Sequence, residues 1–104
     1  MDQEKIQEMQ ILEQRIQNLL LQKQSFQIEL SETEGALGEI KKSEEVFKIV
    51  GNIMLKSDKN SVNNELSEKK KLLELRIGSI EKQEDAMEKK AETLRTELVN
   101  SSKS

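Results

Sequence analysis

The chain has no cysteine, histidine, proline, tryptophan or tyrosine, and only two aromatics, Phe26 and Phe47, among its 104 residues. Each absence excludes something. Without cysteine there is no disulfide framework and no thiolate metal site, and without histidine there is no imidazole ligand either. General acid–base chemistry would fall to Asp, Glu or Lys, and nucleophilic chemistry to Ser or Lys. These are spread along charged faces rather than gathered in one place, so no enzyme, cofactor or metal ion is expected. The four glycines, Gly35, Gly38, Gly51 and Gly78, never fall at the spacing of a phosphate-binding loop. No apolar run approaches the ~18 residues that span a bilayer. The stretch Met1-Asp2-Gln3-Glu4 does not open a signal-peptide core. A net charge of −3 argues against a dedicated nucleic-acid binder, and no basic amphipathic face suits a membrane surface. A cytoplasmic protein is expected. Two aromatics cannot fill a globular core of ordinary size, and the lack of proline leaves long helices unbroken.

What is present is charge and period. Charged residues make up 36% of the chain and hydrophobic ones 34%, the latter regularly spaced rather than scattered, which separates this sequence from a disordered one. Alternating steps of three and four from Met9 reach Leu12, Ile16, Leu19, Lys23, Phe26, Leu30, Thr33, Leu37 and Ile40. Eight of these ten are apolar, the a/d seam of a coiled-coil helix over about residues 4–43. Lys23 and Thr33 interrupt it. Such residues either fix register or are tolerated near an open end, the second being the commoner case. Gln17 to Gln24 is rich in amides, which usually form a solvated face. Gly35 and Gly38 weaken the helix or mark a close approach.

A second seam runs through Leu66, Lys70, Leu73, Ile77, Ile80, Glu84, Met87, Ala91, Leu94 and Leu98, again eight non-polar of ten. It predicts a helix over about residues 59–100, capped by Asp58, Asn60 or Ser61. Leu72 and Leu75 lie off the seam, which is expected if the first turns also pack on whatever joins the helices. The tail from Val99 should fray. Two helices of about forty residues, each ~60 Å long, can run antiparallel, with Met9 near Leu94 and Leu98.

Between them, over residues 45–57, lies the densest apolar segment: Val46, Phe47, Ile49, Val50, Ile53, Met54 and Leu55 within ten positions. Gly51-Asn52 fits a two-residue hairpin turn with Gly at the position that needs positive φ. Val50 then opposes Ile53, Ile49 opposes Met54, and Lys48 opposes Leu55. Val46, Val50, Ile53 and Leu55 fall on one face, and Phe47, Ile49 and Met54 on the other. A two-stranded ribbon apolar on both faces is marginal alone, and its open edges are templates for further strands. Either it folds onto its own helix ends, or hairpins from several chains join into a closed sheet or barrel. The narrow seams leave little area for the first, so an oligomer is expected. The fold class is therefore mainly α, a long antiparallel helical coiled coil with one β-hairpin between its helices.

The segment Val46 to Lys56, placed between two equal helices and followed by Glu68 to Ile77 and Glu81 to Glu84, resembles the beta class of the prefoldin family, in its archaeal form. The resemblance covers essentially the whole chain, residues 1–104, as one prefoldin-type domain. A single hairpin points to the beta class, since the alpha class carries two. The resemblance implies a hexamer of two alpha and four beta subunits with hairpins joined into barrels. It implies an ATP-independent chaperone, a holdase that captures unfolded polypeptide at the coiled-coil tips and delivers it to a group II chaperonin. Tip residues expected to meet clients are Ile6, Met9, Ile11, Leu12, Leu94, Leu98 and Val99. The residues expected to carry oligomerisation are Val46, Phe47, Ile49, Val50, Gly51, Ile53, Met54 and Leu55. For Leu12 and Leu94 plain interhelical packing is the stronger reading. Off-seam Ile6, Ile11 and Val99 are better placed for contact with a client. The rival reading is a structural tether or dimerisation rod, which explains the heptads and leaves the doubly apolar hairpin without a purpose.

Overall fold

A computed structural model of the chain describes residues 3–102. The expected domain bounds reach Met1, Asp2, Lys103 and Ser104, which lie outside the described residues. Four elements follow in order: α1 (Gln3–Lys42), β1 (Val46–Val50), β2 (Ile53–Ser57) and α2 (Lys59–Ser102). Residues 99–102 are helical, so the second helix runs past its expected end at about residue 100. With no proline to remove an amide donor, each helix continues through its glycines.

The helix ends are built locally. Lys41 and Lys42 sit in the last turn of α1, where cations complement the exposed carbonyls. The Ser43 hydroxyl donates to the Glu39 carbonyl at 3.0 Å. Of the three candidate caps for α2, the structure selects Asp58. Its carboxylate accepts from the Ser61 amide at 3.0 Å and from the Ser61 hydroxyl at 3.1 Å. Asp58 is thus the N-cap and Ser61 the third residue of the helix, an arrangement worth about 1 kcal/mol.

By their contacts the residues divide into two compact units. One comprises Phe26–Arg76 and holds the hairpin with the helical turns on either side of it. Its buried residues are Thr33, Ile40, Val46 and Leu73. The buried Thr33 hydroxyl is satisfied by its own helix, donating to the Glu29 carbonyl at 2.8 Å. The Arg76 guanidinium lies over the Phe26 ring, 5.6 Å from its centre, so charge covers the one aromatic of the seam.

The other unit joins the stretch ending at Ser25 to the stretch beginning at Ile77. Here Met9 and Leu12 of α1 pack with Ala91 and Leu94 of α2, flanked by Ile16 and Met87. Ala91 is fully buried, a small side chain that fits where two backbones approach. Leu19, Ile77 and Ile80 are buried as well. Within both units the residues at seam positions are buried or half-buried, as the three-and-four stepping predicts. Each layer is about one side chain deep, which is why so polar a sequence suffices.

Two expectations are corrected. Leu72 and Leu75 do not pack on the hairpin; they are 48% and 71% exposed. Of the two readings of Gly35 and Gly38, close approach within this chain does not hold, because a Cβ added at either would meet nothing within 4 Å.

Candidate interaction surfaces

The hairpin pairs in the register expected: Val50 with Ile53, Ile49 with Met54, Lys48 with Leu55, Phe47 with Lys56, and Val46 with Ser57. Gly51 has φ of 61°, and no other described residue has positive φ. That is the pattern of a type II′ turn, which matches the right-handed strand twist. Opposed residues share a face, so Val46, Val50, Ile53 and Leu55 lie on one side and Phe47, Ile49 and Met54 on the other.

Of these seven apolar side chains only Val46 is buried. Ile49, Ile53 and Met54 each keep more than 60% of their area exposed, and Phe47, Val50 and Leu55 about half. The hairpin therefore does not fold onto its own helix ends. One ion pair links it to α2 and a second closes across the base of the ribbon. Lys48 reaches Glu65 of α2 at 3.0 Å, and Lys56 reaches Glu45 at 3.5 Å. Both are solvent-exposed, so each contributes at most ~1 kcal/mol. At the base of β1 an apolar groove of about 440 Å³ opens between Ala36, Ile40, Val62 and Leu66 on the helices and Val46, Phe47 and Ile49 on the strand. Contiguous exposed apolar surface of this kind marks an interaction site rather than a finished exterior.

The seven expected tip residues fall into three groups. Met9, Leu12 and Leu94 are in the interhelical cluster, 6–8% exposed. Ile6 and Leu98 are half-buried. Ile11 and Val99 are 56% and 51% exposed. A shallow groove of about 130 Å³ beside Ile11 is lined by Glu8, Leu12, Arg15 and Lys90, and one of about 220 Å³ beside Val99 by Glu92, Arg95, Thr96 and Asn100. The structure thus brings three of the seven together as packing and leaves two presented to solvent.

One polar feature went unread. Lys23 and Glu84, both at seam positions, form an ion pair with Nζ 2.8 Å from Oε1, their side chains keeping 22% and 17% of their exposure. Lys23 is not merely tolerated near an open end. The short contact with Glu84 holds its ammonium above the usual 10.5, against the opposing effect of partial burial, and the Glu81 charge adds to the rise. The signal was available: stepping both seams sets a lysine and a glutamate as the mid-seam interruptions of α1 and α2, and opposite charges at matched seam positions are a pairing cue.

Among the described residues no three His, Cys, Asp or Glu side chains gather as a metal site would require, and no helix is long and apolar enough to cross a membrane. The geometry defines a class: a helix–hairpin–helix coiled-coil subunit whose apolar ribbon is left open to other chains. The chain belongs to the prefoldin subunit family, which it matches over residues 3–103. This is a family of chaperone subunits that form oligomeric complexes, not a family of enzymes.

Curated archaeal relatives agree. The prefoldin beta subunit of Saccharolobus islandicus (strain L.S.2.15 / Lassen #1) is 39% identical over 92 residues, covering 86% of this chain and 73% of that protein. The prefoldin beta subunit of Thermococcus onnurineus (strain NA1) is 40% identical over 85 residues, covering 79% and 73%. The crystal structure of the prefoldin beta subunit from Thermococcus strain KS-1 superposes with a TM-score of 0.88 at 31% identity, covering 95% of this chain and 90% of that one.

Proposed function

We propose that this chain is the beta-class subunit of a cytoplasmic, ATP-independent holdase of two alpha and four beta subunits. It captures unfolded or nascent polypeptide at its coiled-coil tips and passes it to a group II chaperonin. The observation that carries the reading is the hairpin, apolar on both faces, with six of its seven apolar side chains about half exposed or more. In the proposed assembly Val46, Phe47, Ile49, Val50, Ile53, Met54 and Leu55, with Gly51 shaping the turn, join hairpins of neighbouring subunits into barrels. The ribbon edges then gain partners and both faces leave water.

Client contact falls first to Ile11 and Val99, which present apolar surface without any opening of the helices. Half-buried Ile6 and Leu98 join them. Met9, Leu12 and Leu94 reach a client only when the tip seam parts, and the flexible thioether of Met9 then suits partners of many shapes. Capture of this kind needs exposed apolar area and no nucleotide, which fits a chain without a phosphate-binding loop.

Two measurements test the proposal. Light scattering of the purified chain, alone and mixed with an alpha-type prefoldin subunit, should show a mixed hexamer only in the mixture. A dimer indifferent to that partner would favour a tether or rod. Turbidity of an unfolded client should then be suppressed by the hexamer, and less so when Ile11→Ser and Val99→Ser are combined. Full protection by that variant would move the client site elsewhere.

A further inference from the structure

The heptad seam of the unit formed by residues up to Ser25 and from Ile77 onward is nearly degenerate. Its packing positions on α1 are Met9, Leu12, Ile16 and Leu19, and on α2 Ile77, Ile80, Met87, Ala91 and Leu94. All are apolar, and a coiled coil built only of such positions accepts a shift of seven residues with modest loss. The hairpin limits this freedom at its own end of the helices. It ties the helices within Phe26–Arg76, and the Lys23–Glu84 layer lies beyond that stretch, where both helices continue. A straight helix also drifts about 20° per heptad against a strict seven-residue repeat, so which faces meet this far from the hairpin is not set by the hairpin alone.

Lys23 and Glu84 break the degeneracy. They meet at 2.8 Å in the seam, and the Glu84 Oε1 that Lys23 approaches is shielded from solvent. Slipping the helices by one heptad in one direction sets Lys23 against Ala91. Slipping them the other way sets Lys23 against Ile77 and Glu84 against Ile16. Every alternative leaves a charge in the seam facing an aliphatic side chain, which is far worse than either a paired charge or an apolar layer. Like-with-like pairing fails too, since α1 against α1 brings two Lys23 ammoniums together and α2 against α2 two Glu84 carboxylates. We infer that the Lys23–Glu84 pair is a register lock, a polar layer that selects which faces of α1 and α2 close against each other in the tip-forming unit, at some expense of stability. The inference does not depend on the chaperone reading.

The test uses the full chain, whose lack of native cysteine gives a clean background. With Lys23 opposite Glu84 in an antiparallel pair, the layer seven residues away sets Ile16 opposite Ala91. Ile16→Cys with Ala91→Cys therefore reports the native register. Ile16→Cys with Leu98→Cys, and Met9→Cys with Ala91→Cys, report the two slipped ones. Under mild oxidation the native cross-link should outpace either slipped one by about tenfold, the middle of the coupling range for groups in contact. In the Lys23→Leu/Glu84→Leu background the ratio should fall to near one while the thermal midpoint rises. Reversing the charges, Lys23→Glu with Glu84→Lys, should restore the ratio. Unchanged selectivity in the apolar background, or no restoration on charge reversal, would overturn the inference and leave register to the hairpin and aliphatic packing.

Discussion

The proposed barrel is put at risk most directly by replacing Val50 and Ile53 together with Asp. The two oppose each other next to the turn on one face of the ribbon and are 54% and 62% exposed. Fully burying such a side chain is worth about 1.5–3 kcal/mol. The part still in water is more than half of each, so the pair forgoes roughly 2–3 kcal/mol per hairpin when assembly no longer buries it. The two carboxylates then add several kcal/mol, because burial of an unpaired charge is opposed much more strongly than loss of a methyl contact. The combined effect is enough to abolish a hexamer at micromolar concentration. Within the single chain the same change should be nearly silent, since exposed substitutions usually stay within about 0.5 kcal/mol. Circular dichroism should therefore report unchanged helix content and thermal midpoint. Light scattering of the mixture with an alpha-type subunit should report loss of the hexamer. A variant that still assembles to the wild-type mass would refute the barrel argument, and one that loses its helices would show that the hairpin supports the monomer rather than the assembly.

Three further outcomes are expected. Leu73→Ala removes a side chain only 2% exposed and should lower stability to urea by about 2–5 kcal/mol. Gly78→Ala adds a Cβ inside α2 that meets nothing within 4 Å, so it should raise stability by about 0.5–1 kcal/mol, read as a higher thermal midpoint. Lys23→Met should be less stable than the wild type near neutral pH, with a pH dependence of definite sign. The folded-state pKa of Lys23 is raised, so the stabilisation from its pair with Glu84 is fully present below the unfolded value of 10.5 and is lost as pH rises through the higher folded value. Urea midpoints of the two proteins should hold a constant gap from neutral pH up to 10.5 and converge above it. A gap that widened would reverse the assignment.

The helical seams were legible because a heptad pattern needs no tertiary information. Stepping by three and four from Met9 and from Leu66 marks side chains that are buried or half-buried within their units. The hairpin register was legible because Gly51 is the one residue in the segment that takes positive φ without strain, and a two-residue turn then leaves no choice of partners. Harder to read were features set by local competition. Asp58, Asn60 and Ser61 are all competent caps, and only the geometry of the first turn makes Asp58 the acceptor and Ser61 the donor. Leu72 and Leu75 widen the apolar arc of α2 on paper, yet both stay exposed, and the hairpin meets the helices through Val46 and the Lys48–Glu65 ion pair instead. The pairing of Lys23 with Glu84 was hidden because each seam was read alone. The residues expected at the tips divide into packed Met9, Leu12 and Leu94 and exposed Ile11 and Val99, and only the packing of α1 against α2 distinguishes them.

The division of the chain into a contiguous unit and a split one also bears on synthesis and folding. Phe26–Arg76 is one uninterrupted stretch whose strands meet across two residues, so its ordering starts from a short loop closure and should come early. The other unit must bring Met9 and Leu12 to Ala91 and Leu94, residues separated by most of the polypeptide. Once the contiguous unit has formed, that separation is no longer a floppy loop but a structured link. On the ribosome the split unit has to wait until Ala91 and Leu94 have emerged. The seam at the ends of the chain should therefore be the last part to close, and the first to open in hydrogen exchange.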